Sequence, residues 1–496
     1  FSLNKKLKKK ITQEYYTAES NMLLCCILFL IKQIFTLKNI NDVEEVINYI
    51  KDNIDNYIEE LKELLRIPSI SAVVERKDDV KRCAKFVAGK LKDAGMSRVE
   101  IFKTEGHPLV YGEWLGAPGK PTILIYGHYD VQPVNPVELW DNPPFEPVIK
   151  DNKIYARGAT DDKGQMFMHI KSAEAYLKTI GSLPLNIKFI IEGEEEVGGE
   201  NLEAFINKNT DLLKCDAVLL SDTALYAKGL PTLTYGLRGI CYMEVEVTGP
   251  NRDLHSGTFG GAVANPINVL AQMISKLQNK NGKITIPEFY DDVLKLTKKE
   301  RDNIKQLKFS ENKYAKELGV KELQGEKNFS TLERTWARPT LDCNGIIGGF
   351  TGKGTKTIIP SKVTAKISMR LVPNQEPNKI AKMFTKYIKD IAPKSVKINV
   401  KALQSAYPVI TPLNNKATIT AAHSMEKAFG KKIVFMREGG SIPIVAVFVK
   451  KLNAPVVLMG LGLNSENLHS PNEHFDLNHF KLGIMSSAYF MNNYSS

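Results

Sequence analysis

His128 and Asp130 stand two residues apart, just beyond the apolar run 121–126 and Gly127. The run reads as a buried strand. A period of two puts both side chains on the same side of the extended chain. In a parallel α/β sheet, ligands bind at the carboxyl ends of strands. A His followed by an acid at that place suits a metal ligand with a carboxylate behind it. A strand-end His satisfied by an ordinary hydrogen bond is the plainer alternative, and the rest of the chain decides between them.

Four more clusters bear on the choice. Asp161 and Asp162 lie between Gly158 and Gly164, just before a helical stretch; alone, such a pair caps a helix. Glu192, Glu194, Glu195 and Glu196 follow directly on an apolar strand. Carboxylates so crowded repel one another unless they spread apart or share cations. Asp222 ends another strand, where a turn-forming Asp is common. His469 lies in the loop Leu-His-Ser-Pro-Asn-Glu473, after Gly460 and Gly462. Together these supply two His and at least four carboxylates, all at strand ends or loops, where chemistry is usually carried. Imidazole with carboxylate and no thiolate suits zinc. One bridging carboxylate with a His and an acid on each side would make a two-metal site. Such a site polarises a carbonyl and generates hydroxide near neutral pH, and a spare Glu would act as base on that water.

The elements that must position these groups follow from periodicity. From Asn41 to Leu65 apolar residues recur at three and four, and Pro68 stops the helix. A second amphipathic helix covers Asp79–Ala94. Strands are expected near 98–103, 109–114, 121–126, 151–156, 185–191 and 217–220, with a helix over 163–180. Strands alternating with helices argue for an α/β sheet layered with helices. After about Gly236 the texture changes. Residues 240–248 alternate apolar and polar, as in a half-exposed antiparallel strand. A helix near 265–278, a Lys-rich helical stretch over 290–323 and strands at 355–360 and 362–371 complete an α+β unit. Beyond 403–413 the first texture returns, with apolar runs at Ile433–Phe435, Ile444–Phe448 and Pro455–Met459. The expected organisation is a leader over 1–40, a catalytic domain over 41–236 and 403–496, and a domain inserted at 237–402.

Composition is that of an ordinary globular chain: 496 residues, 43% hydrophobic and 25% charged. The net charge of +12 is spread along the chain, and no helix-turn-helix, RRM or zinc-finger pattern accompanies it. Solubility and weak attraction for anions explain it better than nucleic-acid binding. Six cysteines, none spaced C-x-x-C, point to free thiols in a reducing, cytoplasmic setting. The apolar run Met22–Ile31 behind a basic stretch is short for a membrane span. It resembles a signal peptide without a small-residue cleavage site, so secretion or anchoring is the alternative to a cytoplasmic location and membrane contact of the leader stays open.

The motifs Gly-His128-Tyr-Asp130-Val-Gln-Pro, Arg-Gly-Ala-Thr-Asp161-Asp-Lys-Gly, Glu-Gly-Glu-Glu195-Glu196, Ser-Asp222, Asp-Leu-His255-Ser-Gly and Gly-Gly-Ser441-Ile-Pro occur in this order. In that series the chain resembles the M20 family of metallopeptidases, in particular its dipeptidase branch of carnosinase-like and cytosolic non-specific dipeptidases. The resemblance runs from about residue 41 to the C-terminus. It implies a zinc-peptidase-like α/β catalytic domain with an inserted α+β lid and dimerisation domain. It implies two divalent cations, zinc first, with manganese or cobalt as alternatives. Asp161 would bridge them, His128 and Asp222 would complete one site, and Glu196 and His469 the other. Glu195 would be the general base and acid, and Asp130 would orient the His128 ring. His255 would reach the partner subunit's active site in a homodimer. Arg370 would grip a substrate carboxylate, with Thr357 and Ser441 as further substrate contacts. The implied reaction is hydrolysis of dipeptides. Deacylation of N-acyl amino acids is the alternative within the family, and a non-catalytic binding protein on the same fold is the alternative outside it.

Overall fold

The computed structural model describes residues 41–495; the leader and its Met22–Ile31 run lie outside them. Nine strands form the main sheet, in the order Arg98–Phe102, Leu109–Trp114, Asn186–Glu192, Thr122–His128, Ala217–Leu220, Val456–Leu458, Thr232–Leu237 and Val409–Ile410, with Val434–Glu438 paired to Thr232–Leu237. Thr122–His128 runs parallel to both its neighbours, and Val456–Leu458 runs parallel to Ala217–Leu220. The carboxyl ends of these central strands therefore share one rim. His128 and Glu192 are directly paired at that rim, and Asp222 lies two residues past Leu220. The strands are β-branched and buried along their length, as a sheet covered on both faces requires.

Helices Lys163–Thr179 and Leu477–Tyr494 pack against each other on one face, and Lys416–Phe429 packs against the latter. Helix Lys163–Thr179 is buried through nearly all of its first 14 residues, which anchors the Asp161–Asp162 turn that precedes it. On the other face, Ile444, Val445 and Phe448 pack with Tyr126, Leu220 and Leu458. The expected long N-terminal helix is broken. Helix covers 41–52 and Ile54–Leu65, because the Asn53 side chain donates to the Tyr49 carbonyl (2.9 Å) and ends the first segment.

A second, four-stranded antiparallel sheet has the order Thr340–Gly348, Lys362–Leu371, Gly239–Thr248 and Lys397–Ala406. Gly239–Thr248 alternates buried and half-buried residues without a break. Helices Pro266–Ser275 and Pro377–Ile391 pack on it around a separate core that includes Val245, Leu270, Ile367 and Phe384. The last strand continues to Ala406, past the boundary expected at 402. Only Ile358–Ile359 of the expected strand 355–360 is extended, paired with Leu254–His255. The Lys-rich stretch is not one helix. It holds Lys298–Gln306 and Glu311–Glu317, each started by its own cap, Thr297 with Glu300 and then Ser310. Without an apolar face there is nothing to join them. Among the described residues no helix is long and apolar enough to cross a membrane, and Cys83, Cys215, Cys241 and Cys343 are free thiols.

Candidate metal centre

Five strand-end and loop residues meet at the shared rim. His128 Nε2 lies 3.2 Å from Asp161 Oδ1 and 3.9 Å from Asp222 Oδ2. His469 Nε2 lies 2.8 Å from the other Asp161 oxygen, Oδ2, and 3.5 Å from Glu196 Oε2. Two three-ligand groups result, His128–Asp161–Asp222 and Asp161–Glu196–His469, with ligand atoms in each within 4.8 Å of one another. Asp161 belongs to both, one oxygen toward each histidine. His128 is fully buried, whereas the His469 side chain is 56% exposed, so one half of the basin is deep and the other opens to solvent.

His128, the Asp161 turn and the His469 loop are each held from behind. His128 Nδ1 faces the Asp130 backbone carbonyl at 3.1 Å and its Oδ1 at 3.4 Å. A proton on Nδ1 leaves the Nε2 lone pair facing the acids. Asp130 Oδ2 accepts from Ser71 Oγ (2.6 Å) and from the Glu196 backbone N–H (3.2 Å), so one carboxylate ties the two halves together. The Asp161 turn is clamped by Glu473, which accepts from the backbone N–H groups of Gly158, Thr160 and Asp161 and from Arg157 Nη1 (2.7 Å). His469 has φ +58° and Asn472 +62°, left-handed backbone that a β-carbon resists and that the surrounding loop must hold.

The acids fit a divalent pair better than they fit one another. Burial raises the Glu196 carboxyl to about 9, helped by Asp161. Burial, then Asp161, raises Asp222 to about 6. Burial pushes Glu195 well up, with Asp222, Glu196 and Asp161 adding to it against His128. Burial also works to raise Asp161, but the His128 and His469 imidazoles beside it outweigh that and hold this carboxyl below the usual range. His128 Nε2 is buried with no hydrogen-bond partner of good geometry. An orphaned imidazole nitrogen amid crowded oxygens is what a cation would satisfy, and the N/O donor set suits zinc.

A cleft of about 1260 Å³ opens beside this basin, lined among others by Glu195, Glu196, Arg370 and Ser441. Arg370 Nη1 donates to Ser441 Oγ at 3.0 Å. His255 and Thr357 are not brought there. Both are exposed on the second unit, next to each other where His255 pairs with Ile358, and neither lines the cleft. No role for Glu473, Glu438 or Arg238 follows from the sequence alone. Burial, and then Asp222, raise Glu438 to about 7. The acid beside Gly439-Gly440 was the available signal for Glu438, and the Arg157–Glu473 charge pairing of two motifs was the one for Glu473.

An α/β sheet whose strand ends gather two cation-sized groups of N and O donors beside a substrate-sized cleft defines a metal-dependent hydrolase. The comparisons narrow that class. The profile of Peptidase family M20/M25/M40 matches residues 124–493. The Cys-Gly metallodipeptidase dug1 of Schizosaccharomyces pombe is 34% identical over 447 residues, covering 87% of this chain and 94% of that one. The structure of human carnosine dipeptidase 1 superposes with a TM-score of 0.79 at 32% identity, covering 92% of this chain and 99% of that chain. The M20 family metallo-carboxypeptidase Sso-CP2 from Sulfolobus solfataricus gives 0.81 at 35%, covering 88% and 99%. The chain belongs to the M20 peptidase family and is a metallopeptidase.

Proposed function

We propose that this metallopeptidase hydrolyses dipeptides, with Glu195 as general base and acid. The observation that carries the reading is the pair of ligand groups sharing Asp161 beside a cleft that also presents Glu195, Arg370 and Ser441. The names of the relatives, a Cys-Gly metallodipeptidase and a carnosine dipeptidase, support the substrate class. His128, Asp161 and Asp222 would hold one divalent cation, and Asp161, Glu196 and His469 the other, zinc by donor type. When bound, such a pair supplies Lewis acidity toward a carbonyl oxygen and lowers the pKa of water.

The chain's own groups do the rest. Glu195, whose carboxyl burial raises, takes the proton of the attacking water and delivers it to the departing amine. Asp130 fixes the His128 ring. Arg370 holds the substrate's C-terminal carboxylate, which sets the scissile amide at a fixed distance from Glu195. His255 and Thr357 serve the site of a partner subunit, which accounts for their exposure here; the second unit, roughly 237–402, would then carry the homodimer contact. Exposed Ile346 and Ile347 on its edge strand, with Phe350 just beyond it, support that contact.

Metal analysis of the purified protein, coupled to a panel of dipeptides and N-acyl amino acids, tests the reading. The expected result is about two zinc-type ions per chain and preference for dipeptides. Glu195→Gln should keep its metal and lose a factor of about 10²–10⁴ in kcat. Equal turnover by the two forms removes Glu195 from the mechanism, and selective cleavage of N-acyl amino acids replaces the dipeptidase reading with deacylation.

A further inference from the structure

Arg238 lies at the crossover between the two sheets, one residue past Thr232–Leu237 and one before Gly239–Thr248. Its strand neighbour Ile240 is the cross-strand partner of Arg370. Three of its groups bind one short loop. Its N–H donates to the Gly440 carbonyl (3.1 Å), its Nε donates to the Gly439 carbonyl (2.9 Å), and its own carbonyl accepts the Ser441 hydroxyl. Ser441 Oγ in turn accepts from Arg370 Nη1. The hydroxyl's one proton is thus committed to Arg238, and its lone pair aims Arg370. Gly439 makes the approach possible: a β-carbon there would stand 2.9 Å from Arg238 Nη2 and 3.0 Å from the Thr335 carbonyl.

The charge balance of this corner is unusual. Arg238 Nη1 is buried and has no hydrogen-bond partner. Burial, then the neighbouring Arg370 charge, lowers its guanidinium to about 10, and the exposed Asp342 is the acid that faces both arginines. Two guanidiniums and one solvated acid leave an unmet demand for an anion, because a buried charge without a partner is costly.

We propose that Arg238 is a positioning residue of the carboxylate pocket: it holds the Gly439–Ser441 loop so that Ser441 aims Arg370, and it adds a second positive charge that makes the pocket select a free C-terminal carboxylate. The inference rests on the dipeptidase reading for its substrate, and its test reads binding rather than turnover.

The test is calorimetric binding of a dipeptide and of its C-terminal amide to zinc-loaded Glu195→Gln protein, with and without Arg238→Gln. The free acid should bind at least tenfold more weakly without Arg238, while the amide changes less than twofold. In the active background, Arg238→Gln should raise KM for the free acid and leave kcat within twofold, and Arg238→Lys should recover part of the loss. Gly439→Ala, which displaces the guanidinium without removing it, should give the same carboxylate-selective pattern should Arg238→Gln not fold. Equal losses for acid and amide, or no loss, overturn the proposal. Absence of turnover on any dipeptide by the unmodified enzyme counts against the function above and leaves the binding comparison to decide on Arg238.

Discussion

Glu473 touches no candidate cation, yet both its oxygens serve the basin. One accepts the Thr160 and Asp161 N–H groups, the other Gly158 N–H and Arg157. Removing it strands a buried guanidinium and leaves three amides without an acceptor. Breaking a buried pair from one side costs about 3–5 kcal/mol, so Glu473→Ala should lose about that much in urea unfolding and bind metal more weakly. A change below about 1 kcal/mol would mean that the turn holds itself. The five residues that meet at the rim were legible because four of them follow an apolar strand or lie between glycines, and His469 stands in a Pro-containing loop after Gly460 and Gly462. Arg238 and Glu438 were not, since a charge at a strand end beside Gly reads as a solvated turn until burial is known. Glu473 was visible as a residue and silent as a role.

At the scale of elements, helix Lys163–Thr179 carries a titratable group that nothing neutralises. His169 bonds Ser487 Oγ through Nδ1 (2.9 Å) and Ser221 Oγ through Nε2 (2.8 Å), which pins the residue just before Asp222. Burial lowers its pKa to about 3. The unfolded chain protonates His169 below about pH 6.5, the folded chain only near pH 3. The unfolded state therefore binds more protons in that window, and stability is full above about pH 6.5 and falls as pH drops toward 3. His169→Gln should flatten the slope of unfolding free energy against pH between 6.5 and 4; an unchanged slope would remove His169 as its source. Elements with one clear period were legible, such as Gly239–Thr248 with its strict alternation. Ile444–Phe448, an apolar run with no period of its own, lies in helix Pro443–Leu452. Its five apolar residues fit either period, and Pro443 at the first helical position was the signal that decided it.

At the scale of the whole molecule, the insertion joins the main sheet through Leu237-Arg238-Gly239 on one side and the Ala406–Val409 crossing on the other. It is also fastened by Glu300, which pairs with Arg437 and Tyr235 of the main unit. The exposed pair His255 and Thr357 gives this arrangement a test. In the homodimer proposed above, Glu195→Gln and His255→Ala chains, each inactive alone, should regain turnover when mixed and allowed to exchange subunits, since one site of each hybrid then has both groups. No recovery, with exchange verified by differently tagged chains, would confine His255 to its own subunit.

The shared use of Asp161 also sets a schedule. Its partners straddle the insertion: Asp222 precedes it, and His469 comes 247 positions later in the chain. At about 5–20 residues per second, a ribosome needs on the order of 12 to 50 s to travel from one to the other. For that interval the emerging polypeptide has its acids but neither the second imidazole nor the Glu473 clamp. With the ligand set proposed above, loading of the outer cation would be a late event in biosynthesis, and an unfinished chain would be in no position to cut peptides in its surroundings.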